Sequence, residues 1–343
     1  MSRAKSGVVR VGGNRWETSL RLRLAAVLGL MLVAGLVLAP GGQRAHATSP
    51  GENGLIYFEQ SGSIFSLSPT GVKKKVVPKK LFPYVVEAVP SPDGRKIAFS
   101  YGGGSDIWTK NLVTGKYKNV TGQAGDAKTL TFIESPAWSP NGKQLVFQAQ
   151  RQQRTRLYRI DADGTGLKQL QFFEDVVAGD LSPDWSSTGT IVFSYEGSLW
   201  TIRPDGTGLI SVASPEEYQG RGFYLPSWSP DGTQIAAEID GTSFADGGIM
   251  VVTPVPGQGQ QKYTYLTGDE DNQHSEVIED PAWSPDGTKI VYYGHWAPDD
   301  AALEDYDLWT IDVANPEAPP VDLNARDQFG ADTYHPNWAP TPR

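Results

Sequence analysis

The sequence predicts an all-β fold made of repeats, a six-bladed β-propeller, and three observations predict it. One phrase, PxWSPDGxxIxF, recurs along the chain; its copies are separated by blade-sized intervals; and strand- and turn-forming residues are frequent, with 38 Gly and 25 Pro in 343 residues and no heptad pattern. The clearest copies are centred on Trp138 (PAWSPNGKQLVF), Trp185 (PDWSSTGTIVF), Trp228 (PSWSPDGTQIAA) and Trp283 (PAWSPDGTKIVY). A degenerate copy, VPSPDGRKIAF, is centred on Pro90, and a truncated one, PNWAP, surrounds Trp338. Successive anchors lie 48, 47, 43, 55 and 55 residues apart.

Each copy reads as strand, turn and strand. The Trp ends a first strand, and Ser-Pro-Asp-Gly turns the chain because proline pre-sets the first turn dihedral and glycine accepts positive φ. An apolar run such as Leu145-Val146-Phe147 then makes a second strand. A third strand is expected 15 to 26 residues after each anchor, around Trp108, Tyr158, Trp200, Met250 and Trp309. Turns such as Asp163-Gly164-Thr165-Gly166 and Asp205-Gly206-Thr207-Gly208 lead to a short fourth strand, for instance Lys168 to Leu170. Four antiparallel strands make one blade. The last copy stops five residues after Trp338, while Leu55–Phe58, Ile64–Leu67 and Val76–Val77 resemble the second, third and fourth strands it lacks. One propeller over 48–343 is therefore expected, its last blade closed by strands from both termini, which removes two exposed sheet edges.

Residues 1–47 differ from the rest. Arg3, Lys5, Arg10, Arg15, Arg21 and Arg23 precede an uncharged run from Leu24 to Ala39, and Ala45-His46-Ala47 follows as a small-residue cleavage site. This is the order of a secretory signal peptide, and the apolar run falls short of the roughly 20 residues needed to span a bilayer. The expectation is cleavage after Ala47, export to an extracellular or periplasmic space, and no stable membrane insertion afterwards. With no Cys, disulfides, thiolate chemistry and Cys-based metal sites are excluded. The chain after residue 47 holds 23 Lys+Arg and 38 Asp+Glu, a formal charge of −15. Such a balance disfavours nucleic acid and favours cations or basic partners.

The PxWSPDG phrase with its following apolar strand resembles the WD40-like repeat of TolB-type propellers, over nearly all of residues 54–340. Related repeats build the propeller domains of prolyl oligopeptidases and the oligogalacturonate lyases. The resemblance implies the fold far more strongly than any function. The chain departs from TolB in that its repeats begin only a few residues after the expected cleavage site, where TolB carries an α/β domain. It departs from prolyl oligopeptidases in having no GxSxG nucleophile elbow, so the serine peptidase reading is set aside.

Candidate site residues follow from the repeat register. Three residues before each anchor stand Glu87, Ser135, Ser182, Leu225, Asp280 and His335; four before stand Val86, Glu134, Leu181, Tyr224, Glu279 and Tyr334. Symmetry places these near one mouth of the central channel. The ligand-binding candidates are accordingly Glu87, Glu134, Tyr224, Glu279, Asp280, Tyr334 and His335, and a divalent cation is the cofactor candidate. His274, His295 and His335 fall in loops of the same face and are the candidate metal ligands, without an HxxH or HxxE spacing to support them. The acidic run Asp299 to Asp307 reads as a solvated loop, Asp161-Ala162-Asp163-Gly164 as a hairpin turn lacking the later ligands of an EF-hand, and Gly102-Gly103-Gly104 as a loop rather than a phosphate cradle. No complete catalytic set is present. The expected function is a non-catalytic, monomeric scaffold that binds a protein or extracellular polymer through the channel mouth; the alternative is a metal-assisted polysaccharide lyase or hydrolase using the same face.

Overall fold

The computed structural model describes residues 51–342 apart from Gln123, 171–180, Gln219, 241–246, 255–260, 268–277, 295–306 and 324–332. Six four-stranded antiparallel sheets form the six blades of a propeller. Blade 1 contains β1 (Asn53–Gln60), β2 (Ser63–Leu67) and β3 (Lys73–Val77), and its innermost strand is β24 (Thr333–Pro340), giving the order β24-β1-β2-β3. Blade 2 is β4 (Val85–Pro90), β5 (Lys96–Tyr101), β6 (Asp106–Asn111) and β7 (Tyr117–Asn119); blade 3 is β8 (Thr131–Trp138), β9 (Gln144–Arg151), β10 (Arg154–Asp161) and β11 (Lys168–Gln169). Blade 4 is β12 (Asp184–Trp185), β13 (Ile191–Tyr195), β14 (Ser198–Ile202) and β15 (Ile210–Ala213). Blade 5 is β16 (Phe223–Trp228), β17 (Ile235–Ile239), β18 (Gly248–Thr253) and β19 (Lys262–Thr267), and blade 6 is β20 (Ile278–Trp283), β21 (Lys289–Gly294), β22 (Asp307–Asp312) and β23 (Val321–Asp322). Among the described residues no helix is long and apolar enough to cross a membrane.

The Ser-Pro-Asp-Gly phrase is a self-satisfied turn. Ser91 Oγ donates to Asp93 Oδ1 at 2.7 Å and accepts from the Lys96 amide at 2.9 Å, while the Arg95 amide donates to Asp93 Oδ1 at 3.0 Å. The same web forms at Ser139 and Asn141, at Ser229 and Asp231, and at Ser284 and Asp286. Thr188 replaces the Asp in blade 4 and still reaches Ser186 Oγ. Gly94 needs to be glycine twice over: its φ is +65°, and a Cβ there would stand 2.7 Å from the Pro340 carbonyl oxygen.

Apolar side chains lie mainly between blades, which explains why the second strands are continuous apolar runs and do not alternate: both faces of each sheet are covered. Ala137, Val146 and Leu157 of blade 3 pack against Trp185, Ile191, Phe193 and Ile202 of blade 4. Ile56, Phe58 and Leu67 of blade 1 pack against Ala282, Val291, Tyr293 and Leu308 of blade 6. Each fully buried side chain of this kind contributes about 1.5–3 kcal/mol. The anchor tryptophans belong to these layers, being 2–5% exposed at Trp138, Trp185, Trp228 and Trp283.

Candidate functional site

The third residue before every anchor adopts a left-handed backbone: φ is +56° at Glu87, +53° at Ser135, +34° at Ser182, +47° at Leu225, +55° at Asp280 and +50° at His335. For residues with a Cβ that region costs about 1–2 kcal/mol. Six repetitions at one register mark a built feature. In blades 2, 3, 5 and 6, and between β24 and β1, the strand pairing slips at or beside these positions, as a β-bulge requires. In five blades the next residue is proline, which has no N–H to leave unpaired at the bulge.

The bulge decides which side chains meet. All six left-handed residues line a central cavity of about 140 Å³, together with the prolines that follow five of them and with Trp138, Trp283 and Trp338; the lining runs on to Ser91 and Pro92 of the first Ser-Pro-Asp-Gly turn. Of the sequence candidates, Glu87, Asp280 and His335 are thus brought together. Glu134, Tyr224, Glu279 and Tyr334, one residue earlier, are not in that lining. Glu134 lies beside Gly104, Tyr224 donates its hydroxyl to Asp240 Oδ2 at 3.5 Å, Glu279 pairs across from Tyr293, and Tyr334 packs on Tyr293 with ring centroids 4.9 Å apart. Period-two alternation sends neighbouring side chains to different sides, and the bulge fixes which one turns inward. His274 and His295 lie outside the described residues, as does the acidic loop up to residue 306. Among the described residues no three His, Asp or Glu side chains are grouped to hold a metal ion.

His335 is the cation of the cavity. Its Nδ1 stands 3.7 Å from Glu59 Oε2 and its Nε2 3.7 Å from Asp280 Oδ2, ion-pair distances too long for hydrogen bonds. Burial pulls the imidazole toward its neutral form, but Asp280, Glu59 and Glu87 together outweigh burial and raise its pKa to about 10. The ring is therefore an imidazolium at neutral pH. Glu279 is shifted upward by burial and by Asp280, with His335 pulling the other way.

Other carboxylates and amides of the channel tie blades to each other. Glu87 accepts from the Ser135 amide at 2.6 Å and from Ser135 Oγ at 3.0 Å, linking blade 2 to blade 3. Gln148 Oε1 accepts from the Leu181 amide at 2.7 Å, linking blade 3 to the segment entering blade 4. Asp184 accepts from its neighbour Trp185 N and, on its other oxygen, from Trp228 N, both at 2.7 Å, linking blade 4 to blade 5. Burial raises the Asp184 pKa to about 6 against the pull of those two amides. Sequence reasoning missed Asp184 and Glu59. The signal for Asp184 was available: it is the lone carboxylate where the other copies carry Val89, Ala137, Ser227, Ala282 and Asn337. Glu59 carries none, because it reaches His335 from a second strand and lies outside the cavity lining.

Six blades around a cavity walled by bulged first strands define a propeller with a small, charged axial pocket. The chain belongs to the TolB beta propeller domain family (PD40), whose pattern matches residues 69–295. It is similar to the crystal structure of TolB from Acinetobacter baumannii, with a TM-score of 0.64 and 17% identity over 84% of this chain and 67% of that one. It is also similar to an oligogalacturonate lyase solved in complex with manganese, with a TM-score of 0.50 and 16% identity over 76% of this chain and 70% of that one. At such identities these likenesses show the fold. The uncharacterized protein Atu1656 of Agrobacterium fabrum is 25% identical over 190 residues, which are 51% of this chain; the match spans 60% of that relative's length.

Proposed function

We propose that this chain is an exported, non-catalytic TolB-like propeller that binds a protein or polymer through the channel-mouth face. The observation that carries the reading is the ring of six left-handed residues, which aims Glu87, Asp280 and His335 into one cavity of about 140 Å³. That volume admits one side chain or small end-group and leaves the rest of a partner to lie on the surrounding loops. With Glu87, Asp184 and Asp280 in the lining against a single imidazolium, the preferred guest is cationic, such as a lysine or arginine side chain.

The test is capture of partners from the exported fraction by residues 48–343, compared with the Asp280→Asn and His335→Gln variants, each checked by circular dichroism to be fully folded at the temperature of the assay. Loss of the same partners from both variants is the expected result, and an unchanged partner set removes the channel-mouth reading. Export predicts a mature protein whose N-terminal residue is Thr48. The second reading, a metal-assisted lyase or hydrolase on the same face, rests on His274 and His295 approaching His335. Metal analysis of the purified protein, with and without added manganese, separates the two readings.

A further inference from the structure

The formal charge hides a division. Residues 48–170, which build blades 1 to 3 apart from β24, hold 17 Lys+Arg against 9 Asp+Glu, whereas residues 171–343 hold 6 against 29. The basic half also contains an open groove of about 1100 Å³ between blades 2 and 3. It lies on the face of the Ser-Pro-Asp-Gly turns, opposite the bulged ends of the first strands. The Leu112 amide bonds the Arg95 carbonyl and the Ala162 amide bonds the Lys143 carbonyl, both at 2.8 Å, so the turns that form the groove's two banks are pinned.

Four lysines line it: Lys96, Lys116, Lys118 and Lys143. Among the described residues none of them is in ion-pair contact, although, beside the hydrogen bonds from Thr165, Lys118 is near enough to Asp163 to help lower its pKa. Lys96 Nζ instead sits 5.9 Å from the centre of the Trp138 ring. Two carboxylates share the groove, Asp161 held by the neighbouring strand β9 and Asp163 by its own turn. Asp161 Oδ1 accepts from Gln144 Nε2 at 2.7 Å, and Asp163 Oδ1 accepts from the Thr165 amide at 2.9 Å and its hydroxyl at 2.6 Å. The groove is left with excess positive charge. Its remaining lining is rich in uncharged hydrogen-bonding groups, including Thr109, Thr114 and Asn111, whose Oδ1 is used by the turn and whose amide NH₂ remains a donor. Ammonium groups spaced along an open trough match spaced anions, and hydroxyl and amide donors match a hydroxylated backbone better than apolar peptide side chains.

We propose that this groove binds an acidic oligosaccharide, its carboxylates meeting Lys96, Lys116, Lys118 and Lys143. The groove shares the Trp138 side chain with the axial cavity, while its four lysines lie outside the cavity lining. Titration calorimetry of residues 48–343 with a uronic-acid hexamer, a neutral glucose hexamer and hexameric polyphosphate tests it. The uronate is expected to bind and the neutral hexamer not; polyphosphate binding as tightly as the uronate would show that charge alone is read and overturn the proposal. Changing all four lysines to Gln is expected to weaken uronate binding by about tenfold or more. Changing Lys74, Lys75, Lys79 and Lys80 of blade 1 to Gln removes equal charge and is expected to alter it by less than about twofold. Equal loss in both sets means diffuse attraction and no site. Lys116→Gln with Lys118→Gln, on the outermost strand and the turn before it, gives the same decision should the fourfold variant fail to fold.

Discussion

At His335 the cavity carries its own counter-charge, and this makes its contribution to stability a function of pH. The folded imidazole titrates near 10 and a free one near 6.5, so the stabilisation is fully present below about 6.5 and is lost as pH rises through about 10. Urea denaturation of His335→Gln should show its largest deficit against the parent chain at pH 6 and no deficit above pH 10. Asp184 also has a raised value, about 6 against 3.8, so its proton favours the folded state in acid and that benefit is lost as pH rises through about 6. The parent chain should therefore lose stability relative to Asp184→Asn between about pH 4 and pH 6. Glu87, Asp280 and His335 could be read as one column because the repeat sets their register. Asp184 was legible only as a lone carboxylate one residue before its anchor, with nothing to show that it ties two blades, and Glu59 was not legible, since it arrives from a neighbouring strand.

At the scale of the element, two devices recur: the polar turn and the left-handed bulge. The turn was visible in the sequence because Ser, Pro, Asp and Gly each have a separate mechanical reason to stand where they do. Asp286 is the most heavily used copy, accepting from Ser284 Oγ and both Thr288 donors on one oxygen and from Asn53 Nδ2 at 2.9 Å on the other. Asp286→Ala should cost about 1–3 kcal/mol in equilibrium unfolding, because the donors lose a shared acceptor. The bulge was not visible, since Glu, Ser, Leu, Asp and His have no common preference for positive φ; only the following proline hinted at an irregular strand. A β-branched residue tolerates that backbone worst. Leu225→Val should destabilise by about 1–2 kcal/mol, and Leu225→Asn by less, in the same assay.

For the whole molecule, the number of blades followed from counting anchors, and the interior from the apolar runs between them. What counting could not supply was the division of charge between the two halves in space, or the groove between blades 2 and 3, because both depend on which turns face the same way. Blade 1 has a further consequence for handling. β24 pairs with β1 through Ile56 opposite Trp338 and Glu59 opposite Tyr334, and the Thr341 amide bonds the Glu52 carbonyl at 3.0 Å. Removing residues 333–343 would bare β1 as an open edge. Light scattering of that truncation should show aggregation at concentrations where the intact propeller scatters as a single species.

The six inward-facing residues are aimed by backbone dihedrals shared by every blade, so the direction of each side chain is set apart from its chemical identity. A lineage, or a laboratory, can exchange the occupants of those positions for other unbranched side chains and obtain a different recognition code on an unchanged frame. Glu87 and Ser135 are exceptions, since the hydrogen bonds between them join two blades, and Asp280 and His335 would change together as an ion pair. Positions such as Leu225 behave as interchangeable letters, so similar frames with unrelated guests are the natural outcome of this design.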